Sequence, residues 1–92
     1  MNVVSGYELA QNHPNPFNPT TAIKFSIPRQ ERVQLEVFNL LGRKVATLVD
    51  NELLAPGQHV RTWDAGNMAT GVYFYRMTAG DFREMKKMIL VR

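Results

Sequence analysis

Acids, bases, nucleophiles and metal ligands are sparse in this chain of 92 residues. His13 and His59 are its only histidines. Neither sits in a ligand pattern such as HxxxH, and even with Asp64 or Asp81 added they fall short of a four-ligand structural zinc site. Asp50, Asn51 and Glu52 place consecutive oxygen donors where the pattern reads as a turn, which suits calcium, yet they form no full ligand loop. Ser5 and Ser26 lack a histidine neighbour in the pattern, and no glycine-rich loop opens a helix. Cysteine is absent, so neither disulfides nor thiolate metal sites can form. The residues therefore imply no catalytic site, no metal and no cofactor.

Binding chemistry is better represented. Trp63, Tyr73 and Tyr75 offer aromatic faces on which sugar rings stack in small accessory or adhesive β-sandwiches of secreted enzymes. Each also has a structural reading: Trp63 ends a strand, where such a ring closes a core, and Tyr73 and Tyr75 share one face that they can simply cover. Arg83, Lys86, Lys87 and Arg92 lie near aromatics, a faint form of the pattern found in single-strand binders. A net charge of +3 with acidic residues interspersed is too mild for a dedicated nucleic-acid partner.

The elements that position these residues read as strands. TAIKFSI alternates Ile23, Phe25 and Ile27 against Lys24 and Ser26, the latter expected to face solvent, and Pro28 ends the run. RVQLEVFN sets Val33, Leu35 and Val37 against Gln34 and Glu36. Gly42 in LLGRK supplies a positive φ for a hairpin into KVATLVD. NELLAPG reads as a connection, QHVRTW as a strand and DAGNMAT as irregular. GVYFYRMTA and FREMKKMILV follow around a turn at AGD. EMKKMILV has some helical propensity, but its length and β-branched end favour a strand. Val72, Phe74, Met88 and Leu90 are expected in the core. With a short opening strand in YELAQ, the total is about seven, spaced as in an antiparallel sandwich. The apolar content is 45%, and the longest apolar run, MILV, cannot span a bilayer. No signal-peptide pattern opens the chain. Residues 1–6 read as start residues or a linker remnant, and residues 7–92 as one domain.

One stretch stands apart. NHPNPFNP holds His13, Asn15 and Asn18 extended before prolines, reduces the conformers of the unfolded chain, and carries asparagines able to bond unpaired backbone. It predicts a rigid crossover with Phe17 plugged into the sandwich. LAQNHPNPFNPTTAIKFSIP resembles the start of the C-terminal sorting domains of the type IX secretion system of Bacteroidota, whose motif is Gln-Asn-Tyr-Pro-Asn-Pro-Phe-Asn-Pro. Here Asn12, Pro14, Asn15, Pro16, Phe17, Asn18 and Pro19 match, and His13 replaces the usual tyrosine. VFNLLGRKVATLVD, APGQHVRTWDAGNMATGVYFYRMTAGDF and KKMILVR continue the likeness in order from Tyr7 to Arg92.

The resemblance implies an all-β, immunoglobulin-like antiparallel β-sandwich that serves as an export address rather than a catalyst. It implies a covalently linked upstream cargo, an outer-membrane translocon with its shuttle protein, and a cell-surface, sortase-like peptidase. The destination would be the cell surface or the medium of a Gram-negative bacterium, reached through the periplasm. By the same resemblance Gly71, Tyr73, Tyr75 and Gly80, with Lys86, Lys87, Met88, Leu90 and Arg92, form the part the translocon reads. A terminal edge strand suits strand addition, and an exposed MKKMILV edge would also allow a homodimer.

Overall fold

A computed structural model describes residues 6–92, so residues 1–5 of the expected linker lie outside the described part. Seven strands follow one another: β1 (Glu8–Leu9), β2 (Thr20–Ile27), β3 (Glu31–Asn39), β4 (Lys44–Leu54), β5 (Gly57–Asp64), β6 (Gly71–Ala79) and β7 (Phe82–Leu90). They form a three-stranded sheet, β1-β2-β5, and a four-stranded sheet, β4-β3-β6-β7, antiparallel throughout. The chain changes sheet after β2, after β4 and again after β5. This Greek-key winding makes an immunoglobulin-like sandwich.

Alternation decides what lies between the sheets. Ile23, Phe25 and Ile27 of β2 meet Val33, Leu35 and Val37 of β3, with Met88 and Leu90 of β7, all buried. Each such side chain contributes about 1.5–3 kcal/mol on burial, set against the conformational entropy lost on folding. Trp63 closes one end, tilted against Phe17 at 5.8 Å and edge-on to Tyr73 at 5.7 Å.

Three local expectations change. On β6 the inward residues are Tyr73, Tyr75, Met77 and Ala79, while Val72 and Phe74 lie on the half-exposed outer face. The phase follows from the whole strand: Arg76 and Thr78 share the parity of Val72 and Phe74 and cannot go inside together. Ser26 is buried rather than solvent-facing, because its short side chain sits on the central strand between its register partners Glu8 and Gln58. NELL is strand, not connection: β4 runs through Leu54 with register irregularities opposite Val33–Leu35, Leu35–Glu36 and Val37–Phe38. Asn51 there has φ 52°, the left-handed backbone that asparagine tolerates in a bulge. At the β3–β4 turn, Gly42 takes φ 85°, and the Asn39 carboxamide oxygen accepts from the amides of Leu41 and Arg43.

Candidate functional site

The terminal strand sorts its side chains by parity. Met88 and Leu90 are buried, Lys86 is half-buried on the same side, and Arg83, Met85 and Lys87 face outward and are exposed. Lys86 Nζ lies 3.3 Å from Glu84 two residues back. Arg92 is exposed but tied back: its amide donates to Thr70 Oγ1 (3.1 Å) and its guanidinium to the Gly66 carbonyl.

The segment Asn12–Pro19, whose three X–Pro peptides are cis, is wired to this strand. Phe17 N–H donates to Ile89 O (2.9 Å), and Val91 N–H donates to Phe17 O (3.0 Å), a parallel bridge. Asn15 Oδ1 accepts from Ile89 N–H at 3.0 Å, and Gln11 Nε2 donates to Lys87 O at 2.7 Å. The expected crossover is thus also a strap over the outer edge of β7 from Lys87 to Val91, so most of the MKKMILV edge is already occupied. Phe17 enters the core at 2% exposure. Asn12 is buried with its groups satisfied: its amide donates to Tyr75 Oη (2.8 Å), Nδ2 to Pro14 O (3.1 Å) and Thr21 Oγ1 (2.9 Å), and Oδ1 accepts from Gln11 Nε2 (2.7 Å). Thr21 Oγ1 donates in turn to Pro14 O at 2.8 Å. Gln11 and Thr21 therefore belong to the site although no spacing rule singles them out. The available signal was the hydrogen-bond capacity of a strand-breaking segment that must satisfy its backbone from side chains.

The tyrosines act from inside. Tyr75 Oη donates to Ala10 O at 2.7 Å while accepting from Asn12; burial pushes its phenol up to about 12, against the amide donor from Asn12 and aided by the Glu84 charge. Tyr73 Oη donates to Ala69 O, four residues upstream, at 2.7 Å, the tyrosine corner of such sandwiches. With Trp63, Tyr73 and Tyr75 all buried, these three rings offer no platform to a sugar. Gly71 opens β6 opposite Leu90. Gly80, at φ 57°, turns the β6–β7 hairpin where a Cβ would run into the Glu31 carboxylate, which accepts from Tyr7 Oη.

Outside the four-stranded sheet, the outward residues of β6 and β7 join Phe38 and Glu36 of β3. Arg76 stacks over Phe38 at 4.8 Å and reaches Glu36 at 3.1 Å, and Lys44 approaches the same carboxylate at 3.4 Å. Burial alone would raise the Glu36 carboxyl, but Arg76 and Lys44 outweigh it and hold the group below its ordinary range. Phe38, Leu40, Phe74 and Met85 line a shallow groove of about 190 Å³ beside this cluster.

The remaining candidates are dispersed. His13 bridges Ala22 through its backbone, while His59 stacks on Phe25 and bonds Ala55 O at 2.7 Å. Of the proposed calcium donors, the Asn51 carbonyl accepts from Arg32 and Glu52 pairs with Arg61. Among the described residues no three histidine or carboxylate side chains gather as a metal site.

A family model described as "Secretion system C-terminal sorting domain" matches residues 12–91. No curated protein matches the chain. Among solved structures, dimeric latent PorU from Porphyromonas gingivalis is similar over 99% of this chain, with TM-score 0.72 and 20% identity. That likeness shows the shared fold, and the aligned part is 10% of the PorU chain.

Proposed function

Because the chain belongs to the C-terminal sorting domains of the type IX secretion system, we propose that it is the non-catalytic address of a larger exported protein. In this reading residues 7–92 are the sorting domain, and a cargo domain lies upstream. The outer-membrane translocon and its shuttle protein read the folded domain, and a cell-surface peptidase acts after passage. The observation that carries the proposal is the family match running from Asn12 to Val91.

The surface that is read divides into two roles. Lys86, Lys87 and Arg92 supply charge at the terminal strand. Tyr73, Tyr75, Met88 and Leu90 set the position of the last hairpin from within, and Gly71 and Gly80 shape its start and its turn. Charge presented on a rigid strand gives selectivity and faster encounter more than raw affinity.

The test is a reporter carrying residues 7–92 in a type IX-competent host. Deleting Lys86–Arg92 is a poor probe, since it removes buried Met88 and Leu90 and with them the fold. Reversing Lys86, Lys87 and Arg92 to Glu keeps Met88 and Leu90 in place. The expected outcome is a domain that melts cooperatively yet leaves its reporter in the periplasm. Unchanged export of this folded variant defeats the charge assignment, and export with residues 7–92 absent defeats the address itself.

A further inference from the structure

The outer edge of β7 is open over only part of its length. Bonds from Gln11 to Lys87 O, and from Asn15 and Phe17 to Ile89, show that odd-numbered residues turn their main-chain groups away from β6. By the same parity the N–H and C=O of Arg83 and Met85, and the N–H of Lys87, face outward. Among the described residues, none outside β6 bonds to them. The other long edges are less receptive. β4 is broken by its register irregularities. On β5 the Val60 carbonyl accepts from the Arg61 guanidinium, which also reaches Glu52 of β4.

The outward side chains along this open stretch are Arg83, Met85 and Lys87. Met85 is 49% exposed, and among the described residues neither Arg83 nor Lys87 has an ion-pair partner. A strand laid antiparallel on this edge projects alternate side chains directly opposite these three. Charge complementarity then specifies acid opposite Arg83, an apolar side chain opposite Met85, and acid opposite Lys87.

We propose that β7 accepts one extended protein segment at Arg83–Lys87, of the pattern acidic-x-apolar-x-acidic, and that the Gln11–Phe17 strap fixes where that segment must stop. The inference rests on the export reading, in which such a segment belongs to the transport machinery. The strap also explains why addition stays short: beyond the Lys87 amide, every outward group up to the Val91 amide is already bonded.

The probe is the capped peptide acetyl-Thr-Asp-Thr-Leu-Thr-Asp-Thr-amide, titrated into the isotope-labelled 92-residue chain. Amide shifts are expected at Arg83, Met85 and Lys87, and binding should weaken with salt. Met85→Pro deletes an outward N–H at an edge position where proline is tolerated, and should abolish binding. Arg83→Glu with Lys87→Glu should weaken it by about tenfold or more, as two exposed charge pairs imply, and carries the test if the proline variant does not fold. Replacing both peptide aspartates by lysine should remove the shifts.

Binding unaffected by these variants, shifts centred on Gln11–Phe17, or no binding at millimolar peptide overturns the inference. So does self-association of the chain through Arg83–Lys87, which makes the occupant a second copy. The reporter separates the two proposals: if charge reversal at Lys86, Lys87 and Arg92 stops export but Met85→Pro exports normally, the address stands and strand addition falls.

Discussion

Tyr75 is the polar hinge of the inner layer, since one hydroxyl joins β6 to both Ala10 and Asn12. Tyr75→Phe leaves a buried amide and a part-buried carbonyl without that partner and should cost about 1–3 kcal/mol in urea unfolding. Its titration adds a second signature. The unfolded phenol ionises near 10.0 and the folded one near 12, so the folded state holds the proton more tightly. This contribution is complete below pH 10 and disappears as pH rises towards 12, a loss on the order of 2–3 kcal/mol. Tyr75→Phe should flatten that alkaline slope; persistence of the slope would assign it elsewhere. Glu36 works in the opposite direction. Its depressed pKa stabilises the fold above the ordinary carboxylate range, and this contribution disappears as pH falls through the folded value. Glu36→Gln should reduce the acid-side dependence seen by circular dichroism. Gly80→Ala meets both a left-handed backbone and the Glu31 carboxylate, and about 1–2 kcal/mol of destabilisation is expected from the backbone alone.

The strap and β7 behave as one unit. Phe17→Ala empties the site beside Trp63 and should cost about 3–5 kcal/mol, a large share of the roughly 5–15 kcal/mol that holds a typical domain together. Asn15→Ala acts more gently. It frees the Ile89 amide while leaving the Phe17 bridge, so hydrogen exchange at Ile89 should accelerate with little change in global stability. If Ile89 stays protected, the asparagine is not what covers the edge. The two ends of β7 thus differ in kind: the C-terminal half is paired by the chain's own proline segment, and the N-terminal half presents bare main chain flanked by cations.

Across the molecule, the strap, the bulged β4 and the seam pairing of Arg61 with Glu52 leave one well-charged stretch of edge. Edges managed in this way limit strand pairing between neighbouring copies of the fold. Deleting Lys86–Arg92 should abolish cooperative melting altogether, because Met88 and Leu90 stand in the shared core. A truncated chain that still melted cooperatively would separate the terminal strand from that core.

Much of this was legible in the residues. Period-two alternation in TAIKFSI and RVQLEVFN, with glycine and proline between runs, was enough to specify strands, a sandwich and the faces of β2 and β3. The ordered motifs identified the family. Within GVYFY alone, apolar on both faces, alternation has no phase; Arg76 and Thr78 further along the strand set it, and hydroxyl partners contributed from Ala69, Ala10 and Asn12 satisfy Tyr73 and Tyr75 once they are inside. The strap could not be read either, because pairing between Phe17 and Ile89 joins segments more than seventy residues apart in sequence. Local pattern fixes which way a side chain alternates; only the assembled sheets determine which main-chain groups remain unpaired, and therefore where a partner can bind.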